Sequence, residues 1–361
     1  MTASITPQPG ILDIALYQSG ESEIAGHADP LKLSANENPF GPSPAAMDAM
    51  ATVLSESHRY PSTDHADLRK AIAQLHGLDA DRIICGVGSD EVIHFLCQAY
   101  AGPGLEVLYT YHGFGMYRIS ALAAGATPVV APETERRVDI DALIAAVTPV
   151  TRLIFIANPA NPTATLLEIS EIARLSDALP PECLLVLDGA YAEFADGYDG
   201  GAALVTVRDN IVMTRTFSKA YGLGGLRVGF GYGPRVVIDT LNRIRGPFNL
   251  SVIAVAGAKA AVGDQAWVNE CIRVNAAERA RLTGGLRQLG IACDDSHANF
   301  VLARFADEAE ADAADAHLKS EGIIVRAPKS YGLPECLRIT VGRPEDNSRV
   351  LDALASFRGA E

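Results

Sequence analysis

The sequence predicts an α/β protein in which a mostly parallel sheet, flanked by helices, forms a large domain and a smaller α+β domain follows it. Two observations support this fold class. Short β-rich runs alternate with helical segments from about residue 82 to residue 230, which is the pattern of a parallel sheet covered by helices on both faces. After Pro247 the alternation stops, and a long helical stretch precedes a few further strands.

The elements follow in order along the chain. In the large domain, strands are predicted over residues 82–85, 106–109, 127–130, 152–156, 184–187, 210–213 and 227–230. In the C-terminal part, a helical stretch over about residues 251–289 precedes strands over residues 299–302, 322–325 and 337–341. The segment before Leu33 is polar, Gly-rich and poorly periodic, so we expect an arm that lies over other parts of the molecule. The predicted boundaries are 1–33 for the arm, 34–246 for the large domain and 247–361 for the small domain.

Composition excludes several classes of protein. The 361 residues carry 30 basic and 44 acidic side chains, a formal net charge of −14, and no cluster of Lys and Arg, so we expect neither nucleic acid nor an anionic membrane surface as a partner. No run of 18 apolar residues could span a bilayer, and the N-terminus lacks the pattern of a secretory signal. We therefore expect a cytoplasmic protein.

The cysteines and histidines do not indicate a metal site or a disulfide framework. The six cysteines are scattered without C-x-x-C spacing, mostly in apolar stretches, so we expect buried free thiols in a reducing compartment. The eight histidines show no ligand spacing, and no metal is predicted.

The motif that most strongly indicates chemistry surrounds Lys219, just after the predicted strand over residues 210–213. Thr216, Ser218 and Arg227 stand at fixed offsets from this lysine, among glycines that allow close approach of the backbone. Two hydroxyls and a guanidinium suit an anion that lies beside an amine. A lysine whose pKa is lowered by burial and by neighbouring cations can form an aldimine with a carbonyl cofactor.

Two further motifs follow strand ends, where ligands bind in open α/β sheets. Asp188 directly follows the apolar run 183–187; it could be a helix N-cap or turn residue, or an anion that pairs with a protonated pyridine nitrogen. The loop of residues 86–89 ends one strand and opens a helix, where free backbone N–H groups would bind a phosphate. The carboxylate of Asp90 must then point away from the phosphate or be otherwise engaged.

Together these motifs resemble those of the fold-type-I aminotransferases, and most closely the histidinol-phosphate aminotransferase family. The resemblance runs over residues 17–354. The motifs are Leu33-Ser-Ala-Asn36-Glu-Asn38-Pro-Phe-Gly-Pro, Arg59-Tyr60-Pro61, Gly88-Ser-Asp-Glu, Asn158-Pro-Ala-Asn161-Pro-Thr163, Asp188-Gly-Ala-Tyr191, Ser218-Lys219-Ala-Tyr-Gly-Leu, Asn299-Phe and Leu337-Arg338-Ile-Thr-Val-Gly.

The resemblance implies pyridoxal 5′-phosphate as cofactor and a role for each matching residue. Lys219 is expected to form the internal aldimine and then to act as general base. Asp188 is expected to pair with the pyridine nitrogen, Asn161 and Tyr191 to hydrogen-bond the phenolic oxygen, and Phe114 to stack on the ring. The residues expected around the cofactor phosphate are Ser89, Asp90, Thr216, Ser218 and Arg227. Tyr60 is expected to reach the phosphate in the neighbouring subunit, which makes a homodimer the functional unit.

The resemblance also implies a substrate site, a reaction and two rival reactions. Arg338 matches the arginine that binds the substrate's anionic end, Arg326 and Tyr17 match positions that meet the substrate phosphate, and Asn36 belongs to the same site. The implied partners are a small-molecule amino donor and a 2-oxoacid, most closely histidinol phosphate and 2-oxoglutarate in histidine biosynthesis. An aromatic amino-acid aminotransferase and a lyase similar to threonine-phosphate decarboxylase remain open.

The chain departs from the family's pattern in two loops. Ala160 and Ala164 replace residues that are commonly Asn and Gly, and Tyr111-His112 stands where Pro-Thr is common. The tract over residues 329–334 also occurs in relatives that accept aromatic amino acids, which is why the aromatic alternative is kept.

Overall fold

The computed structural model describes residues 5–16 and 21–359. Its α-helices are α1 (Pro44–Val53), α2 (Ala66–His76), α3 (Gly88–Tyr100), α4 (Gly115–Ala123), α5 (Ile140–Ala146), α6 (Ile169–Ala178), α7 (Ala202–Thr206), α8 (Arg235–Ile244), α9 (Val252–Gly263), α10 (Gln265–Gln288), α11 (Glu308–Ser320) and α12 (Pro344–Phe357). Its strands are β1 (Leu31–Lys32), β2 (Ile83–Gly86), β3 (Glu106–Thr110), β4 (Thr127–Ala131), β5 (Glu133–Thr134), β6 (Arg137–Val138), β7 (Thr151–Ala157), β8 (Leu184–Asp188), β9 (Ile211–Thr216), β10 (Gly229–Tyr232), β11 (Ala292–Cys293), β12 (Phe300–Arg304), β13 (Ile323–Ile324) and β14 (Cys336–Thr340).

A seven-stranded sheet forms the centre of the larger part, in the order β2-β10-β9-β8-β7-β3-β4. Strands β9, β8, β7, β3 and β4 are parallel to one another, whereas β10 is antiparallel to both β9 and β2. The predicted α/β class with a mostly parallel sheet is therefore confirmed. Because consecutive parallel strands end at the same edge, the loops after β7, β8 and β9 lie side by side.

The two faces of this sheet are both packed, which explains why its strands are apolar throughout. Along β8, Leu185 and Leu187 belong to one hydrophobic cluster, and Leu184 and Val186 belong to the cluster on the opposite face. Side chains alternate between faces along a strand, so a strand covered by helices on both sides needs apolar residues at every position. The end of β8 is consequently a deeply buried place for the charged residue Asp188.

The C-terminal part has its own small sheet and its own core. Strands β11, β12 and β14 form an antiparallel sheet, and a separate cluster that includes Leu286, Val301 and Ile339 packs beneath it. The predicted strand over residues 322–325 is seen as β13, but it pairs in parallel with β1, close to the start of the chain. The domain boundaries at residues 33 and 246 stay a prediction.

The helical stretch predicted over residues 251–289 is divided into two helices. Helix α9 ends at Gly263, and α10 begins at Gln265. The side chain of Asp264 accepts a hydrogen bond from the backbone N–H of Trp267 at 3.3 Å, which caps the start of α10. The break lies at this cap, where one helix ends and the next begins.

The cysteines agree with the expectation of buried free thiols. All six are buried and free, and burial raises the pKa of the Cys85 thiol to about 12. Within residues 5–16 and 21–359, no helix has both the length and the apolar character needed to cross a membrane. The cytoplasmic location stays a prediction.

Gly229 allows β10 to approach the start of α3. It pairs with Gly86 of β2 and with Thr216 of β9. A Cβ atom at this position would lie 2.3 Å from the backbone nitrogen of Ser89 and 2.5 Å from the carbonyl carbon of Gly88. Backbone cannot yield as a flexible side chain does, so only glycine fits between these strands and the helix.

We therefore expect Gly229→Ala to lower the free energy of unfolding by about 1–3 kcal/mol, the usual cost of overpacking. Urea denaturation followed by circular dichroism measures this change. The matched control is Gly284→Ala in α10, where an added Cβ meets no atom within 4 Å, and which should stabilise the protein by roughly 0.5–1 kcal/mol. A Gly229→Ala variant as stable as the parent would contradict the packing described above.

Candidate active site

A cavity of about 190 Å³ opens at the carboxyl edge of the large sheet, between the ends of β7, β8 and β9, the start of α3 and strand β14. It brings together thirteen of the residues predicted from the sequence. These are Asn36, Ser89, Asp90, Phe114, Asn161, Asp188, Tyr191, Thr216, Ser218, Lys219, Arg227, Arg326 and Arg338. Their separation along the chain is large, so it is the strand order of the sheet that assembles them.

Of the predicted residues within the described chain, Tyr60 does not line this cavity. Tyr60 is 81% exposed and lies against Phe248, with the two rings stacked at a centroid distance of 4.5 Å. Tyr17 lies outside the described residues. The expectation that both complete the site is therefore not tested by the geometry of the described chain.

Lys219 follows β9, and its amine faces the cavity. Its Nζ donates a hydrogen bond to the carbonyl oxygen of Ala35 at 3.0 Å and lies 5.7 Å from the centre of the Tyr191 ring. Burial, and next the positive charge of Arg338, lower the pKa of Lys219 to about 8. The amine therefore loses its proton more readily than an ordinary lysine, as a nucleophile or a base requires.

Asp188 ends β8 and is buried, with 4% of its surface exposed. Its Oδ2 accepts a hydrogen bond from the hydroxyl of Tyr117 at 2.8 Å, and its Oδ1 accepts from Thr214 and from the backbone N–H of Ala190, both at 3.2 Å. Burial raises the pKa of Asp188 to about 6, although these donors act in the opposite direction. These three donors are neutral. They stabilise the carboxylate without cancelling its charge, so it can still pair with a cation.

Tyr191 and Asn161 are each oriented by a neighbour. Asn36 donates from Nδ2 to the hydroxyl oxygen of Tyr191 at 2.9 Å, and Arg338 donates from one terminal nitrogen to Oδ1 of Asn161 at 2.7 Å. These contacts leave the hydroxyl hydrogen of Tyr191 and the amide hydrogens of Asn161 to donate elsewhere. Burial raises the pKa of Tyr191 to about 12, so the hydroxyl remains protonated.

A polar cradle forms where the start of α3 meets the loop after β9. Gly88 has φ +76°, a conformation that favours glycine, and a Cβ there would lie 2.6 Å from a terminal nitrogen of Arg227. Arg227 donates to Ser218 Oγ at 3.0 Å and to Asp90 Oδ2 at 3.0 Å. The Asp90 carboxylate thus forms an ion pair with Arg227. The cradle offers hydroxyls, a guanidinium and the first N–H groups of a helix, a combination that binds phosphate.

Arg326 and Arg338 are neighbours across an antiparallel bridge. Their backbones exchange hydrogen bonds, from the nitrogen of Arg326 at 3.0 Å and from the nitrogen of Arg338 at 2.7 Å. Residues paired in this way place their side chains on the same face, and both side chains line the cavity. Arg338 also donates to the carbonyl oxygen of Ser34 at 2.8 Å. The site therefore offers two guanidinium groups to an anion.

Sequence reasoning missed Tyr117, Tyr331 and the carbonyl groups of Ser34 and Ala35. Tyr117 lies on α4, three residues after Phe114, which caps the start of that helix, but nothing in the sequence shows that the Tyr117 hydroxyl reaches β8. Tyr331 lines the cavity from the tract that the sequence associates with aromatic substrates. Backbone carbonyls leave no side-chain signal in a sequence at all.

The residues present fit pyridoxal phosphate. An amine with a lowered pKa, a buried carboxylate whose donors within the described residues are all neutral, and a cradle made by Gly88 and Arg227 all border one cavity. The aromatic side chain of Phe114 borders the same space. These are the contacts that a phosphorylated pyridine aldehyde requires at its four distinct groups: aldehyde, ring nitrogen, phosphate and ring face.

Comparison with known proteins identifies the family. Residues 28–354 match the family model described as aminotransferase class I and II. The chain is 78% identical over 360 residues to the histidinol-phosphate aminotransferase of Jannaschia sp., covering 100% of both chains, and 69% identical to that of Roseobacter denitrificans, covering 98% of this chain and 99% of the relative.

A solved structure agrees with these relatives. The crystal structure of histidinol-phosphate aminotransferase from Sinorhizobium meliloti in complex with pyridoxal-5′-phosphate superposes with a TM-score of 0.90, at 27% identity and 100% coverage of both chains. The resemblance read from the motifs is thereby confirmed. The chain belongs to the aminotransferase class I and II family.

Proposed function

We propose that this protein is a pyridoxal-phosphate-dependent aminotransferase that transfers the amino group of histidinol phosphate to 2-oxoglutarate, giving imidazole acetol phosphate and glutamate in histidine biosynthesis. The family membership and the 78% identical full-length relative named histidinol-phosphate aminotransferase support the reaction. The observation in the structure that supports it best is the cavity that joins the Lys219 amine, the Asp188 carboxylate and two arginines. We also propose a cytoplasmic location.

The bound cofactor would supply an electron sink that makes a hydrogen on the substrate's Cα acidic. Lys219 would hold the cofactor covalently through Nζ and, when released, would carry the proton at that atom. A pKa of about 8 suits this role, because a base works best when its pKa is near the working pH. Asp188 would bind the ring nitrogen, and its anionic form would keep that nitrogen protonated.

Tyr191 and Asn161 would donate to the phenolic oxygen of the cofactor. The contacts from Asn36 and Arg338 occupy the acceptor atoms of these two side chains and leave their donors to the ligand. Phe114 would lie against the ring, and Ser89, Asp90 (through its backbone), Thr216, Ser218 and Arg227 would bind the phosphate. These assignments rest on the family motifs and on the shared cavity.

Arg326 and Arg338 would bind the anionic end of the substrate. A dianionic phosphate can engage two guanidinium groups, and a carboxylate of 2-oxoglutarate can use the same pair in the second half-reaction. Tyr331 lines the same cavity, which is the observation that keeps an aromatic donor as the second candidate.

We further propose that the working enzyme is a homodimer. Tyr60, 81% exposed in the single chain, would reach the cofactor phosphate bound by a second copy. The stacked pair of Tyr60 and Phe248 presents an apolar surface with a hydroxyl at its edge, which suits burial against another chain.

The first functional prediction concerns Lys219. Lys219→Ala should abolish the visible absorbance of the protein mixed with pyridoxal phosphate and lower turnover by at least about 10²-fold, because the covalent attachment and the proton carrier are lost together. Lys219→Arg should not restore either property, since a guanidinium stays protonated. Absorbance spectra and steady-state assays measure both.

The matched control is Lys70→Ala on the exposed surface of α2, which should leave spectrum and turnover unchanged. Circular dichroism should show all variants folded. An unchanged visible spectrum in Lys219→Ala would reject the assignment of this lysine.

The second prediction concerns substrate choice. Arg326→Ala should raise KM for histidinol phosphate more than KM for glutamate, since a dianionic phosphate can accept more charged hydrogen bonds than a carboxylate and each contributes roughly 1.5–3 kcal/mol. Arg349→Ala on α12, an exposed arginine outside the cavity, is the matched control and should leave both KM values unchanged.

Donor comparison separates this proposal from its rivals. The parent enzyme should show a higher kcat/KM with histidinol phosphate than with phenylalanine, and a clear advantage for phenylalanine would favour the aromatic alternative. Formation of glutamate from 2-oxoglutarate in step with consumption of the donor distinguishes transamination from the decarboxylation that a lyase would catalyse.

The third prediction concerns the dimer. Tyr60→Phe should weaken binding of pyridoxal phosphate by roughly 1.5–3 kcal/mol, because one hydrogen bond to a charged group is lost across the interface. Equilibrium dialysis measures this affinity, and Tyr100→Phe, at the far end of α3, is the control. A fully active monomer in sedimentation at assay concentration would contradict the proposal.

A further inference from the structure

Tyr117 forms a hydrogen bond with Asp188, and the proposed mechanism gives this contact no role. Its side chain is buried, with 1% of its surface exposed, and its hydroxyl donates to Oδ2 of Asp188 at 2.8 Å. This is the shortest of the hydrogen bonds described for that carboxylate, since Thr214 and Ala190 donate to the other oxygen at 3.2 Å. Tyr117 therefore fixes one oxygen of Asp188 while the two other donors fix the second.

The ring of Tyr117 is held on two sides. It stacks on Phe155 of β7 at a centroid distance of 4.7 Å and an interplanar angle of 11°, and its edge meets Phe114 at 5.7 Å and 87°. Stacked and edge-on contacts of this kind are the preferred geometries of aromatic pairs. One buried side chain thus contacts both Phe114 and Asp188, two groups that border the cavity from different elements.

We propose that Tyr117 is a positioning residue for the proposed reaction: its hydroxyl aims the ionised carboxylate of Asp188 at the cofactor's ring nitrogen, and its ring holds Phe114 against the ring face. Thr214 holds the second carboxylate oxygen. The inference rests on the proposed function, because it assigns Tyr117 a role in binding that cofactor.

The electrostatics agree with this geometry. Burial raises the pKa of Asp188, and the negative charge of Asp90 on α3 acts in the same direction, whereas the hydrogen bond from Tyr117 is the largest influence that lowers it. Burial also raises the pKa of Tyr117 well above its ordinary value, so the phenol keeps its proton and remains a donor. A hydroxyl that stays neutral stabilises the charged form of its partner without adding a second negative charge.

A double-mutant cycle tests the role. Apoenzyme is titrated with pyridoxal phosphate for four proteins: the parent, Tyr117→Phe, Asp188→Asn and the double variant. In the parent background, Tyr117→Phe should weaken binding roughly 10-fold or more, as expected for a hydrogen bond to a charged group. In the Asp188→Asn background the same change should cost less than about 3-fold, because the charge through which Tyr117 acts is absent.

A control variant separates the effect of the Tyr117 hydroxyl from a general effect of losing a buried hydroxyl. Tyr109→Phe removes a hydroxyl from a buried ring of the same cluster, 6.3 Å from Tyr117, and should leave affinity unchanged. An equal effect of Tyr117→Phe in both backgrounds would mean that the residue acts through packing alone and would overturn the proposal.

If Tyr117→Phe does not fold, Thr214→Val takes its place in the cycle, and an absence of coupling to Asp188 would overturn the proposal equally. A parent protein that does not bind pyridoxal phosphate would instead reject the proposed function.

Discussion

The buried carboxylate of Asp188 is the constraint on which the arrangement of the site depends. A charged group removed from water costs several kcal/mol unless hydrogen bonds or an opposite charge replace the lost solvation. Here the replacement comes from three different places: α4 supplies Tyr117, β9 supplies Thr214 and the turn after β8 supplies the Ala190 N–H. These elements must therefore keep their relative positions for the charge to be tolerated, and the cationic ring nitrogen of the proposed cofactor would complete the compensation.

The strand order explains how distant residues serve one site. Asp188 of β8 pairs in register with Thr214 of β9, so the loop that carries Lys219 begins directly beside the carboxylate. The antiparallel strand β10 then returns from that loop and packs against the start of α3, where Gly229 permits contact closer than any side chain would allow. The amine, the carboxylate and the phosphate cradle are thus set at fixed distances by one sheet. The antiparallel β10 is an essential part of that geometry.

Much of this could be predicted from the sequence, because the relevant signals are local. The strands appear as apolar runs, and Asp188, Ser89 and Lys219 directly follow or closely follow such runs, so their convergence at one sheet edge follows from the parallel topology. The break at Asp264 and the pairing of β13 with β1 could not be predicted with the same means. The first depends on a single capping hydrogen bond within an apolar helical stretch, and the second joins segments almost 300 residues apart. Tyr117 was missed for a related reason: its helix pattern indicates only a buried aromatic residue, and the partner of its hydroxyl lies on another element.

Arg326 and Arg338 both border the cavity, but they differ in their effect on the pKa of Lys219. The positive charge of Arg338 is, after burial, the largest influence that lowers the pKa of Lys219, whereas Arg326 is not among the leading contributors to that shift. Arg338 also holds Asn161 and the Ser34 carbonyl, so it is bound into the structure before any ligand arrives. An anion bound by Arg338 would offset part of its field and raise the proton affinity of the neighbouring amine, which under the proposed function would link recognition of the substrate to the proton that Lys219 would carry. Removal of Arg338 would therefore disturb the orientation of Asn161, substrate binding and the basicity of Lys219 together. Arg326 lines the same cavity but is not among the leading influences on the pKa of Lys219, so we expect its loss to affect binding of the substrate's anion more than the basicity of that amine.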